Sequence, residues 1–248
     1  MDKDWLATGA PQKPFAWHGP ADPLTRKAVV DPLGGKFKQI WYLEKAIQVS
    51  RSVARVLFPD GKHFATCFLV ATDLIMTNHH VFGSSYETEG VRIQFNYREN
   101  LDGDLEEVED YGCDPSTFFT SQEFDYSVVK LDRPAAERWG YLPMRQGQAT
   151  PRESHIAIIQ HPEGEPLQVA MRDNSLVYDD ANTVEYLTST EYGSSGSPVF
   201  NDYWQLIALH SQRVQDPSIT DRKVWYRNRG IKMNAILQNK ALAALIPK

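Results

Sequence analysis

The chain has 248 residues, 42% hydrophobic and 23% charged, enough for one or two domains that bury roughly three quarters of the unfolded surface, which excludes disorder as the main state. Its 26 Lys+Arg against 32 Asp+Glu leave a formal charge of −6, so the long-range attraction that a phosphate backbone or an anionic membrane needs is missing. Neither nucleic acid nor a membrane is an expected partner.

In chain order, the start carries no cationic segment leading into an apolar run, and no apolar stretch approaches about 18 residues. The expectation is a soluble, cytoplasmic protein. Residues 1–45 hold five of the 15 prolines, Pro11, Pro14, Pro20, Pro23 and Pro32, and each removes a backbone donor, so this stretch reads as an arm outside any sheet. It also carries Phe15, Trp17, Trp41 and Tyr42, which a free tail does not need, so the arm is expected to lie against the body or a regulatory protein partner. Phe37, Ile40, Trp41, Glu44 and Ile47 recur at three- and four-residue spacing and predict a short helix.

From residue 52 onward the texture changes to short β-like runs, at 52–58, 63–70, 74–77, 91–97, 126–131, 155–159, 168–171, 183–188 and 205–210, rich in Val, Ile, Phe and Thr. Turn sequences such as Pro59-Asp60-Gly61 and His161-Pro162-Glu163-Gly164 separate several of them. Many short strands at near-regular spacing imply an all-β sandwich or barrels. Ile236, Leu237, Leu242 and Leu245 predict a terminal helix. Two cysteines, Cys67 and Cys113, are too few for a disulfide framework.

Three segments carry the ingredients of acyl transfer: Thr77-Asn78-His79-His80-Val81, Asp125-Tyr126-Ser127-Val128-Val129, and Gly193-Ser194-Ser195-Gly196-Ser197-Pro198. A hydroxyl nucleophile needs a base, an acid that orients and charge-stabilises the base, and donors for the oxyanion. These boxes, in the order His, Asp, Ser, resemble those of the chymotrypsin-like (trypsin-like) serine peptidases, in particular their disulfide-poor bacterial branches. The resemblance covers about residues 46–238. It implies two six-stranded antiparallel β-barrels, the first over about 46–135 and the second over about 140–232, with a C-terminal helix over about 234–246 and the site in the cleft between the barrels.

By that resemblance Ser195 is the nucleophile, His80 the general base and then acid, and Asp125 the group that fixes the imidazole. The backbone N–H groups of Gly193 and Ser195 form the oxyanion hole. Alternation along an extended segment sends His79 and His80 to opposite faces, and the box favours His80. His155 and His161 read as structural. For substrate binding, Thr190, His210, Ser211 and Arg213 are the candidates. A threonine or serine and a histidine hold the places of Thr190 and His210 in glutamyl endopeptidases of the family, which implies cleavage after Glu, and after Asp, with a partly protonated imidazole and a hydroxyl donating to the carboxylate. Glu191 argues the other way unless it points outward. Ser211 also stands where the family has a serine bonded to the buried aspartate.

Departures from the family are legible too. Ser194 carries no charge where zymogen-type relatives have an aspartate, and Cys67 has no cysteine partner across His80. Both fit a protease of a reducing compartment, controlled by the arm or a partner, and the motif set also resembles stand-alone bacterial domains of signalling or defence systems. No cofactor is expected, and no ligand pair at usable spacing supports a metal hydrolase. The acidic turn Asn100–Glu106 lacks the EF-hand pattern and reads as solvated. The alternative from another class is a peptide-binding pseudoprotease without turnover.

Overall fold

The computed structural model describes residues 38–146, 155–171, 176–215 and 226–246. Contacts divide the chain after Gln39, and the fold below belongs to the unit that starts at Ile40. The proline-rich arm falls almost wholly outside the described residues, as does its expected contact with a partner.

The first sheet is built from β1 (Val53–Leu57), β2 (Phe64–Leu69), β3 (Leu74–Thr77), β4 (Arg92–Phe95), β5 (Glu109–Tyr111), β6 (Cys113–Ser121) and β7 (Tyr126–Leu131), in the order β5-β4-β1-β2-β3-β7-β6. The second holds β8 (Ala157–Gln160), β9 (Gln168–Ala170), β10 (Leu176–Asp179), β11 (Thr183–Tyr186), β12 (Pro198–Phe200), β13 (Leu206–Gln215) and β14 (Tyr226–Lys232), in the order β10-β11-β14-β13-β12-β8-β9. Neighbouring strands pair antiparallel throughout. Both sheets curl into half-barrels, so the double-barrel architecture holds, with seven strands in each sheet rather than six.

Period-two alternation explains how two such sheets share one core. On β2, Ala65, Cys67 and Leu69 face the interior of the first sheet, whereas Phe68 joins the layer between the sheets. On β3, Ile75 faces inward, and Leu74 and Met76 face the second sheet. Phe200, Leu206 and Leu209 answer from the second sheet, while Val199, Ile207 and Ala208 fill that sheet's own interior.

The predicted short helix is present as α1 (Trp41–Ser50), but it buries a different face. Tyr42 and Val49 are buried, with Lys45 and Ala46 half-buried between them, and Tyr42 packs on Trp204 with ring centroids 5.0 Å apart. Ile40, Trp41 and Ile47 remain exposed. A short α2 (Ala136–Trp139) follows the first sheet. The single terminal helix predicted from the apolar spacing is two, α3 (Met233–Ile236) and α4 (Lys240–Leu245), because the Asn239 side chain accepts from the amides of Ala241 and Leu242 and starts a new helix.

Strands β5, β6, β10, β12 and β14 were not among the predicted runs. β14 shows why: its buried positions are Asn228, Gly230 and Ile231, so a single apolar residue at its end marks it and no apolar alternation does. β6 is half-exposed and interrupted by a bulge between Asp114 and Phe119. Both cysteines are free; burial pushes the Cys67 thiol well above its usual range and the Cys113 thiol up to about 12, so neither is a reactive thiolate.

Candidate active site

β3 ends at Thr77 and the chain turns, separating the two histidines. His79 Nδ1 shares a hydrogen bond with Thr120 Oγ1 at 2.8 Å. His80 faces Asp125, its Nδ1 lying 3.0 Å from both carboxylate oxygens. Its Nε2 lies 2.9 Å from Ser195 Oγ. With Nδ1–H donating to the carboxylate, Nε2 is left as the acceptor for the serine hydroxyl, the tautomer a general base needs.

Asp125 stands immediately before β7 with φ of +42°, a conformation tolerated by Asp more than by most residues. Asn78 holds it there, its Nδ2 donating to the Asp125 carbonyl at 2.9 Å. The carboxylate also accepts from the His80 amide at 3.1 Å and from Ser211 Oγ at 2.5 Å. Burial works to raise its pKa, but hydrogen bonds from the His80 and Ser211 side chains outweigh it, and the group is held below the usual carboxylate value. Of the two expectations for Ser211, substrate binding and a bond to the buried aspartate, its hydroxyl makes the second.

The nucleophile loop is fixed by glycines and by one threonine. Gly196 has φ of +84°, and a Cβ there would lie 2.1 Å from the Thr66 carbonyl and 2.2 Å from Thr77 Oγ1. Gly193 has φ of +91°, and its Cβ would lie 2.6 Å from the His161 carbonyl. Only glycine fits either place. Thr66, fully buried on β2, engages every one of its polar atoms, two of them directly on this loop. Its amide donates to Ser195 O at 2.9 Å and its carbonyl accepts from Thr77 Oγ1 at 2.8 Å. Its hydroxyl donates to Gly193 O at 2.8 Å and accepts from the His161 amide at 3.0 Å.

The Glu163 amide likewise captures Tyr192 O at 2.5 Å. With the carbonyls of 192 and 193 drawn to the back of the loop, the Gly193 and Ser195 amides have no acceptor among the described residues and are free to receive an oxyanion. Ser194 is buried and its hydroxyl accepts from the Glu191 amide at 3.1 Å, a neutral tie in the position of the missing aspartate. His161 is buried behind the loop, its Nδ1 donating to Glu165 O at 2.9 Å, and burial lowers its pKa to about 3. It is structural, as predicted.

Thr190 and His210 each bond to one member of the Tyr186–Asn228 cross-strand pair, partners the sequence did not announce. Thr190 is buried and its hydroxyl donates to Asn228 Oδ1 at 2.8 Å, while Asn228 Nδ2 donates to Thr188 O at 2.5 Å. His210 Nδ1 shares a hydrogen bond of 2.8 Å with the buried Tyr186 hydroxyl. Burial first, then the nearby His80 and Arg213, lower the His210 pKa to about 4. The imidazole of the free chain is therefore neutral near pH 7, against the expected partial protonation. Arg213 donates to Thr190 O at 2.7 Å and lies 3.9 Å from the Glu191 carboxylate. Glu191 is 62% exposed and points outward. Among the described residues no group of three His, Cys, Asp or Glu side chains is arranged to hold a metal ion.

A family model described as a trypsin-like peptidase domain matches residues 65–209, more than half of the chain. The uncharacterized protein y4fB of Sinorhizobium fredii is 30% identical over 75% of this chain, which covers 31% of that protein. Glutamyl endopeptidase of Staphylococcus aureus is 22% identical over 75% of this chain and about half of its own length, 54%. This chain thus spans about a third to a half of the length of these curated relatives. A solved structure of a Glu endopeptidase in complex with MPD superposes with a TM-score of 0.59 at 20% identity, covering 79% of this chain and 90% of that one. The fold, the matched span and the placement of His80 and Ser195 within it agree, and the chain belongs to the trypsin-like peptidase family.

Proposed function

We propose that this chain is a serine endopeptidase that cleaves peptide bonds after glutamate, and less readily after aspartate, through an acyl-enzyme. The observation that carries the proposal is the continuous hydrogen-bonded line Asp125–His80–Ser195, with contacts of 3.0 and 2.9 Å. Ser195 Oγ attacks the carbonyl carbon as His80 Nε2 takes its proton. The oxyanion is received by the Gly193 and Ser195 amides, and the tetrahedral species collapses as His80 returns the proton to the leaving amine. Water, deprotonated by His80, then releases the acyl group.

The acidic preference is supported by Thr190 and His210, both buried and bonded to the cross-strand neighbours Asn228 and Tyr186, and by the likeness to glutamyl endopeptidases. If Tyr186 donates to Nδ1, the neutral His210 carries its proton on Nε2, a donor for a carboxylate. The bound carboxylate then raises the proton affinity of the ring. A glutamate-ended competitive inhibitor is therefore expected to bind more tightly as pH falls from about 8 toward 6, and its glutamine counterpart is not.

The test is labelling by a fluorophosphonate and cleavage of a peptide pool, with Ser195→Ala beside the parent chain. Labelling should vanish and turnover should drop on the order of a millionfold. A parent chain that binds peptides but neither labels nor cuts would establish the pseudoprotease alternative. Cuts placed after apolar or basic residues would remove the acidic preference alone.

A further inference from the structure

We propose that the site also selects the residue after the scissile bond, through a pocket on the first sheet that takes a large aromatic or aliphatic side chain. The inference rests on the peptidase function proposed above. A cavity of about 340 Å³ adjoins His80 and Ser195, within the span of about 300–1,000 Å³ that small-ligand sites occupy. Phe58, Phe64, Val81 and Tyr192 line it, together with His63 and Glu87. Thr190, His210 and Asn228 are not among its walls. The cavity is thus distinct from the Thr190, His210 and Asn228 groups, which stand on and beside the second sheet. A peptide whose carbonyl oxygen reaches the Gly193 and Ser195 amides sends its two halves in opposite directions. With the acidic side chain held by the second sheet, the leaving half falls against the first, beside His80, the group that must protonate its amine.

The chemistry of the walls names the occupant. Phe58 is braced edge-on by Phe82, with centroids 5.7 Å apart, and Phe64 meets Tyr192 edge-on at 5.2 Å. Phe64 is also pressed against the nucleophile loop, since a Cβ on Gly193 would lie 2.9 Å from its ring. These rings offer fixed faces suited to edge-to-face contact. The polar neighbours are already engaged: Glu87 Oε2 accepts from the Gly83 and Ser84 amides at 2.6 and 3.0 Å, and His63 Nδ1 pairs with Asp60. A charged side chain entering here gives up hydration and meets a Glu87 carboxylate that already accepts from two amides, whereas an aromatic one buries apolar surface, including that of the 62%-exposed Tyr192.

The test uses peptides with glutamate fixed before the scissile bond and the following residue varied. Phe, Tyr or Leu should exceed Gly, Asp and Lys in kcat/KM by at least about tenfold. Tyr192→Ala, and separately Phe64→Leu, which keeps the packing on Gly193, should shrink that ratio to within about twofold while the glutamate preference persists. A flat profile, a preference for Lys that reports Glu87 instead, or a ratio unmoved by both substitutions would overturn the inference. Glutamate-selective cleavage with a flat leaving-side profile defeats this inference alone. A chain that neither labels nor cleaves defeats the function on which it rests, and the inference with it.

Discussion

Thr66 is an unremarked β-strand residue by sequence, yet its amide, carbonyl and hydroxyl all engage the loop 193–196 or its supports. Thr66→Val keeps the shape and removes the hydroxyl, leaving Gly193 O and the His161 amide without their partner, at a cost of about 1–3 kcal/mol each at most. Because those bonds aim the Gly193 amide at the cleft, kcat is expected to fall by about 10–100-fold with KM little changed, and Thr66→Ser to recover most of it. Steady-state kinetics alongside urea denaturation checks both parts. Asp125→Asn tests the other end of the site: the amide cannot impose the same tautomer on His80, and kcat should drop by roughly 10⁴ with the fold intact. Since the Asp125 pKa is depressed in the folded chain, its contribution to stability is fully present above the ordinary carboxylate value and is lost as pH falls through the depressed one.

At the scale of elements, β13 and the turn after β8 each bury a neutral histidine. The pKa of His210 is lowered to about 4 and that of His161 to about 3. The unfolded chain protonates both near about 6.5, so between that pH and 4 or 3 the unfolded state binds more protons and stability rises with pH. Acidification from about pH 6.5 to 4 is thus expected to cost on the order of 3 kcal/mol per histidine, lost before Asp125 titrates. Chemical denaturation across this window measures it, and His161→Gln should flatten the dependence by about half. A steep loss retained in the variant would contradict the assignment. On the same β13, the register against β14 sets His210 opposite Gly230, and β11 sets Tyr186 opposite Asn228, the two residues to which His210 and Thr190 bond.

For the whole molecule, the layer between the sheets is the largest cluster of buried apolar side chains among the described residues. Phe200 is fully buried there. Phe200→Ala should lower the unfolding free energy by about 3–5 kcal/mol, read from the shift in denaturation midpoint. Because this layer and not a covalent bridge joins the halves, and both cysteines are free, a reducing agent should leave the melting temperature unchanged. A drop on reduction would mean that the cysteines pair in solution.

The identities of His80, Asp125 and Ser195 were legible in the chain because each sits in a short local box, where neighbours in sequence impose the turn or strand that aims the side chain. Apolar alternation likewise marked nine strands and the all-β class. Thr66, Tyr186 and Asn228 left no such trace. They act through hydrogen bonds to residues far off in sequence, such as Thr66 to Gly193 and Thr190 to Asn228, so only strand pairing puts them in reach. The face that α1 buries, the outward turn of Glu191 and the neutrality of His210 were settled the same way, since burial and the charges around a group are properties of the packed chain. Local pattern determined which residues can do the chemistry; tertiary pairing decided how they are held, charged and given a substrate.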